Sequence, residues 1–324
     1  MVGSNGAHVK WRRMGQKGRI DDRRGQRSGR SGTGMSGFPI PMSGKISLPV
    51  LIIGAIVFFL FNGGFGGGGS SNFDVNTPEQ FPDVEPAPDG QTAVPDAPPA
   101  ADDGGQFVAQ VTRDIEELWQ REFDAAGQTY DPVGPARTLA ETEQRPGPVV
   151  FSRDTRTGCG VGSAATGPFY CPADERVYID LTFYRQLSQR FGASGDFAQA
   201  YVLAHEVGHH VQHLLGIDRQ VQQLAQSDPG QRNELSIRQE LQADCFAGVW
   251  AQSVYERELM DQGDLEEALT AAAAIGDDQI QEKTTGRISP ESWTHGSSEQ
   301  RSRWLRRGFE SGSPDACDTF SGDV

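Results

Sequence analysis

Cysteine is scarce in this chain and confined to one part of it: four residues, none before position 159, and no C-x-x-C pair among them. Without such a pair the cysteines do not read as zinc ligands. An even number, all downstream, reads instead as two disulfides in a compartment where they persist. Basic residues are scarce beyond residue 45, where 19 Lys and Arg face 42 Asp and Glu; so acidic a body excludes nucleic acid as a partner. Histidine is scarce as well, six in 324 residues. There is no internal repeat, and only one long apolar run.

What is present is unevenly placed. Residues 1–45 hold ten Lys and Arg against Asp21 and Asp22. After them comes "ISLPVLIIGAIVFFLF", 46–61, sixteen residues without a charge, extended by "NGGF" to twenty. Twenty helical residues rise ~30 Å, about one bilayer core. The exit "NGGFGGGGSS" lacks an A-x-A cleavage pattern, so the expectation is an uncleaved transmembrane anchor over 46–65. The basic stretch before it predicts a cytoplasmic N-terminal tail, 1–45, and an extracytoplasmic body, hence a single-pass protein of the cell membrane. The tail is also placed to meet anionic lipid headgroups.

Residues 66–105 are rich in Gly, Pro, Asp and Ala and read as a disordered tether. The folded domain is expected over 106–324. "FVAQVTRDIEELWQREF" places Phe107, Val111, Ile115, Leu118 and Phe123 at helical spacing. "PGPVVFSRDTRTGCG" and "GPFYCPADERVYIDLTFY" predict short strands with a hairpin, including a strand at 177–180. Beyond residue 183 the chain predicts helices over roughly 183–191, 196–215, 233–258, 264–284 and 297–309. The fold class expected is α+β, a small strand region followed by a mainly helical half. Among the three possible cysteine connectivities, Cys159 pairs naturally with Cys171, since "GVGSAATGPFY" can turn back on itself, leaving Cys245 with Cys317.

The chemistry concentrates in "AHEVGHHVQH", 204–213. Asp196 is a plausible cap and Gly216 a plausible stop for its helix. On a helix a four-residue step brings His205 and His209 about 40° apart and about 6 Å along the axis, so both imidazoles converge on one ion. Glu206 borders the open side, placed to take a proton from water and return one to a leaving amine. A third protein ligand is required. Gln212 and Leu215 occupy the slots where H-E-x-x-H-x-x-G-x-x-H would need Gly and His, which excludes that pattern. His213 lies too far along the same helix to share the ion, and His210 points elsewhere, as a surface or supporting residue. The third ligand is Glu240 of "IRQELQADCFAGVWA", with Asp244 four residues on to hold a ligand histidine by its free N–H. The small residues Ala243, Ala247 and Gly248 let this helix approach the first.

H-E-V-G-H followed by E-L-Q-A-D resembles the gluzincin arrangement of zinc peptidases. Together with "KWRRMGQKGRIDDRRG", "GPFYCPADERVYIDLTFY" and "THGSSEQRSRWLRRGF", it resembles the bacterial family of neutral zinc metallopeptidases. The resemblance implies a zincin-like metallopeptidase domain with one catalytic Zn2+ and a peptide or protein substrate. "THGSSEQR" resembles the T-H-P-P-x-x-x-R stretch of membrane gluzincins, with Gly296 and Ser297 replacing the prolines; this implies His295 as oxyanion donor and Arg301 as a brace. The strand "RVYID" is expected to pair with an extended substrate. The resulting expectation is a membrane-anchored zinc endopeptidase with Glu206 as general base. The alternatives are a zinc hydrolase of non-peptide amides in the cell envelope, a zinc-stabilised adaptor without catalysis, and manganese or cobalt in place of zinc.

Overall fold

The computed structural model describes residues 19–25, 103–141 and 147–324. The anchor expected at 46–65 and the tether at 66–105 lie outside these, apart from the last few tether residues. Among the described residues no helix is long and apolar enough to cross a membrane. The architecture is α+β and mostly helical. In chain order the elements are β1 (Asp21–Asp22), α1 (Asp103–Ala125), β2 (Val149–Phe151), β3 (Asp154–Thr157), β4 (Gly160–Ser163), β5 (Phe169–Cys171), β6 (Arg176–Asp180), α2 (Thr182–Phe191), α3 (Asp196–Leu214), α4 (Ile217–Ser227), α5 (Arg232–Glu256), α6 (Asp264–Ala274), α7 (Asp277–Thr285) and α8 (Ser298–Ser311).

The sheet runs β1-β2-β6-β5 and carries a separate β3-β4 hairpin beside it. β1, β2 and β6 are parallel neighbours, and β5 returns antiparallel on β6 with Phe169 opposite Tyr178. β6 therefore has partners on both sides, which rules out the expected pairing of substrate with "RVYID"; among the described residues the edges of the sheet are β1 and β5. The two disulfides are Cys159–Cys171, tying the β3-β4 hairpin to β5, and Cys245–Cys317, tying α5 to the turn Pro314–Cys317.

Tertiary contacts moved several boundaries. The domain takes a strand, β1, from the segment expected to be a tail, so its edge is not at residue 106. The helix expected over 264–284 is two helices, because Gly276 between them has extended backbone, φ −68° and ψ 146°, and it lies against the Ser298 backbone, which a Cβ there would overlap. Asp196 is the first residue of α3 and not its cap. The cap position is Gly195 at φ +116°, where a Cβ would collide with the Glu267 carboxylate. Glu267 of α6 itself accepts the Phe197 N–H at 3.2 Å, so another helix satisfies the end of α3. Gly216 does end α3, at φ +76°, but α4 follows at once.

α3 is the centre of the molecule, buried from Phe197 to Gln212 apart from Gln199. Against it, Gly208 faces Ala243 of α5, close enough that a Cβ would lie 3.2 Å from the Ala243 backbone. Gly248, expected to serve the same contact, serves a different one. It packs on α8, where a Cβ would overlap the Leu305 carbonyl, while Gly308 of α8 meets the Cys245 carbonyl in return. Two glycines thus bring α5 and α8 to backbone contact. Replacing Gly308 by Ala should destabilise the oxidised protein by about 1–3 kcal/mol, the cost of overpacking exceeding the ~1 kcal/mol gained in helix propensity. Urea unfolding measures it; a loss under about 0.5 kcal/mol would show that the two helices can part without penalty.

Candidate metal centre

His205, Glu206 and His209 lie on the buried middle of α3, and Glu240 and Asp244 on the buried face of α5. The close approach at Gly208 and Ala243 brings the two sets together. His205 Nε2 is 3.2 Å from Glu240 Oε2 and His209 Nε2 is 3.5 Å from Glu240 Oε1. Two donors bonded at about 2.1 Å to one tetrahedral ion stand about 3.4 Å apart, so this spacing suits a shared cation. The His209 Nε2 atom is buried without a hydrogen-bond partner, as expected of a lone pair reserved for a metal.

The other ring nitrogens are spoken for. His205 Nδ1–H donates to Asp244 Oδ1 at 2.8 Å, and His209 Nδ1–H donates to Gln212 Oε1 at 2.9 Å. Those bonds set both tautomers so that the Nε2 lone pairs face Glu240. Gln212 is in turn held by the Gln239 carbonyl at 2.7 Å and by Gln242 Oε1 at 3.0 Å. Asp244, fully buried, also accepts from Tyr201 Oη at 2.6 Å and from Arg301 Nε and Nη2 at 2.8 and 2.9 Å.

Charge makes the same case. With neutral histidines, buried Glu206, Glu240 and Asp244 carry three negative charges against the single positive charge of buried Arg301, a deficit that a divalent cation balances. Burial disfavours the charged form of every member. For His205, Asp244 and Glu240 outweigh it and lift the imidazole to about 9. For Glu240, burial is overcome by His209 and His205, which hold the carboxyl well below the usual carboxylate range. For Glu206, burial prevails and raises it, with Glu240 adding to the effect. One Glu206 oxygen, Oε2, has no hydrogen-bond partner.

His295 completes the wall. It is 2 % exposed, between the turn Pro290–Ser292 and α8, and lines the same cleft as Glu206, Glu240 and Arg301. Asp277, the first residue of α7, holds it: one carboxylate oxygen accepts the N–H groups of Thr294, His295 and Gly296 at 2.7, 2.7 and 3.2 Å, and the other faces His295 Nδ1 at 3.1 Å. Its Nε2 is buried and unpartnered. Gly296 sits at φ +91°, which proline cannot adopt, and Ser297 forms the capping box of α8 with Gln300. The two departures from T-H-P-P are thus the residues that this turn needs.

The structure brings His205, Glu206, Glu240, His295 and Arg301 to one cleft, with His209 beside Glu240 and Asp244 behind His205. His213 is apart from it, bonded to Asp218 at 2.6 Å. His210, expected at the surface or in support, is fully buried, with Nε2 on the Asp131 carbonyl at 2.7 Å and Nδ1 on Tyr170 Oη at 3.0 Å. Three residues escaped sequence reasoning: Tyr201, Gln212 and Asp277. The first two were findable, four before His205 and three after His209 on the same helix face. Nothing local marks Asp277.

The sequence pattern of the family described as "Putative neutral zinc metallopeptidase" matches residues 9–320. The uncharacterized protein YpfJ of Escherichia coli K12 is 41% identical over 317 residues, 98% of this chain and 100% of that protein. The uncharacterized protein Rv2575 of Mycobacterium tuberculosis H37Rv is 47% identical over 219 residues, 64% of this chain and 73% of that one. No solved structure matches.

Two outcomes follow from the centre. His205, raised above an unfolded value of about 6.5, adds stability to the metal-free protein that is complete below that pH and is lost as pH rises through about 9. Metal binding needs neutral imidazoles and so strengthens over the same range. The Tm of chelator-treated protein should fall between pH 6.5 and 9 while the Tm gain on adding zinc grows; a gain independent of pH would contradict the ligand set. Asp244→Asn should weaken zinc binding about 10–100-fold, measured by competition with a chromogenic chelator, and an unchanged affinity would remove Asp244 from the centre.

Proposed function

The chain belongs to the "Putative neutral zinc metallopeptidase" family, and on that premise we propose that it is a zinc-dependent endopeptidase that works beside a membrane. The observation that carries the reading is the meeting of His205 Nε2, His209 Nε2 and the Glu240 carboxylate, all within 4.8 Å of one another, with His205 and Glu240 lining a cleft that Glu206 and His295 also line. The family implies zinc, and two imidazoles with one carboxylate suit it. Bound there, zinc supplies Lewis acidity, polarising the scissile carbonyl and lowering the pKa of water toward ~7.

The rest is done by the chain. Glu206 takes the proton of the attacking water and returns it to the leaving amine, and burial, by raising its pKa, brings it nearer to neutral pH, where one group serves both steps. His295 Nε2 donates to the oxyanion that forms on the carbonyl oxygen, with the ring held by Asp277. Arg301 does not face the substrate as a donor: its guanidinium is committed to Asp244. An extended peptide is aligned by Thr166–Pro168, which lines the cleft and runs into the open edge strand β5. Phe183, Val202 and Ile275 form an apolar wall there, which favours an apolar side chain beside the scissile bond. The apolar run 46–61 is the proposed membrane attachment, and the disulfides favour an extracytoplasmic site for the domain.

The test compares wild type, Glu206→Gln and His295→Gln for zinc content and for cleavage of an unfolded protein. All three should hold one zinc. Glu206→Gln should lose 10²–10⁴-fold in kcat/KM and His295→Gln roughly 10²–10³-fold in kcat. If the wild type holds zinc yet cleaves no peptide in a diverse library, the endopeptidase reading fails.

A further inference from the structure

The strand β1 comes from the basic segment that precedes the apolar run, yet it is built into the sheet of the domain that follows it. Asp21 N–H donates to the Pro148 carbonyl at 2.8 Å, Arg23 N–H to the Val150 carbonyl at 2.7 Å, and Gly147 N–H to the Arg19 carbonyl at 3.3 Å. Side chains add a clamp. Asp21 accepts from Arg176 of β6 at 2.7 Å and from Arg23 at 2.7 and 3.0 Å. Arg23 reaches on to the Arg156 carbonyl at 2.8 Å and to Thr155 Oγ1 at 3.2 Å on β3. Its guanidinium also lies over the Tyr178 ring, 5.9 Å from the centroid. Ile20 packs on the core. Three strands therefore hold one short segment by backbone, charge and apolar contact, and without it β2 would be an open edge.

This contact is incompatible with a single membrane crossing in between. If residues 46–61 spanned a bilayer once, residues 19–24 and β2 would lie on opposite faces, ~30 Å apart, and could not share hydrogen bonds of 2.7–2.8 Å. Connection on one face is easy, since an extended chain spans up to ~3.5 Å per residue and residues 26–102 separate β1 from α1. The family match starts at residue 9 and so includes β1.

We propose that residues 19–24 are a working strand of the metallopeptidase domain, and that this segment and the domain occupy the same face of the membrane. The proposal revises the expected single-pass topology and is independent of the peptidase chemistry.

The full-length chain in bacterial membranes tests it. Reporters active only in the cytoplasm or only outside it, fused to either terminus, should give the same compartment for both ends; opposite compartments overturn the proposal. Docking is read separately by a photo-crosslinking amino acid in place of Ile20. Irradiation of intact membranes should join residue 20 to a peptide of the 103–324 domain within the same chain, and the product should be lost in Asp21→Arg, which repels Arg176 and Arg23. A correctly oxidised, membrane-bound chain that yields no such crosslink overturns the proposal as well.

Discussion

The buried pair of Asp244 and Arg301 is the interaction on which the rest depends. Its two residues are 0 and 2 % exposed, so each charge is tolerable only because of the other, and loss of either partner would leave a buried charge worth about 3–5 kcal/mol of instability. The carboxylate does more than answer the arginine. It also accepts from His205 and Tyr201, so one group joins α3, α5 and α8 and aims the His205 imidazole, a candidate ligand, at Glu240. Stability and metal geometry are thereby coupled through a single side chain.

The backbone is arranged to let that pair form. Gly208 against Ala243 brings α3 to α5, Gly248 against Gly308 brings α5 to α8, and Cys245, one residue after Asp244, is bonded to Cys317. Burial is therefore purchased by small residues at the crossings rather than by large ones. The same economy appears at Gly195 and Gly276, where absent side chains let α6 and α8 supply groups to neighbouring helix ends. A zinc site between helices needs donors fixed to a few tenths of an ångström, and side chains of ordinary size at these crossings would hold the helices apart.

Further supporting bonds around the candidate centre come from separate residues. Gln212 orients His209, Asp277 orients His295, and Glu267 closes the start of α3. Glu206, His209 and His295 each keep a buried polar atom without a hydrogen-bond partner. Unsatisfied groups inside a protein are costly, and these three lie together at the candidate metal centre.

Much of this was legible in the chain. The 3.6-residue period is local physics, so His205 with His209, Glu240 with Asp244, and the apolar face of α1 could be read from spacing, as could the disulfide loop from Cys159 to Cys171. Gly208, Tyr201 and Gln212 obey the same period and needed only a closer reading. What spacing cannot supply is the partner across a gap. That β6 is central and β5 an edge, that Asp277 grips the His295 turn, that Gly248 meets α8 instead of α3, and that residues 19–24 join the sheet are all decided by contacts between distant segments. Helical period and turn chemistry depend on neighbours within about four residues, and the sequence alone determined them. The choice of which buried faces and strand edges meet depends on the summed packing of the whole domain, and only the tertiary structure decided it.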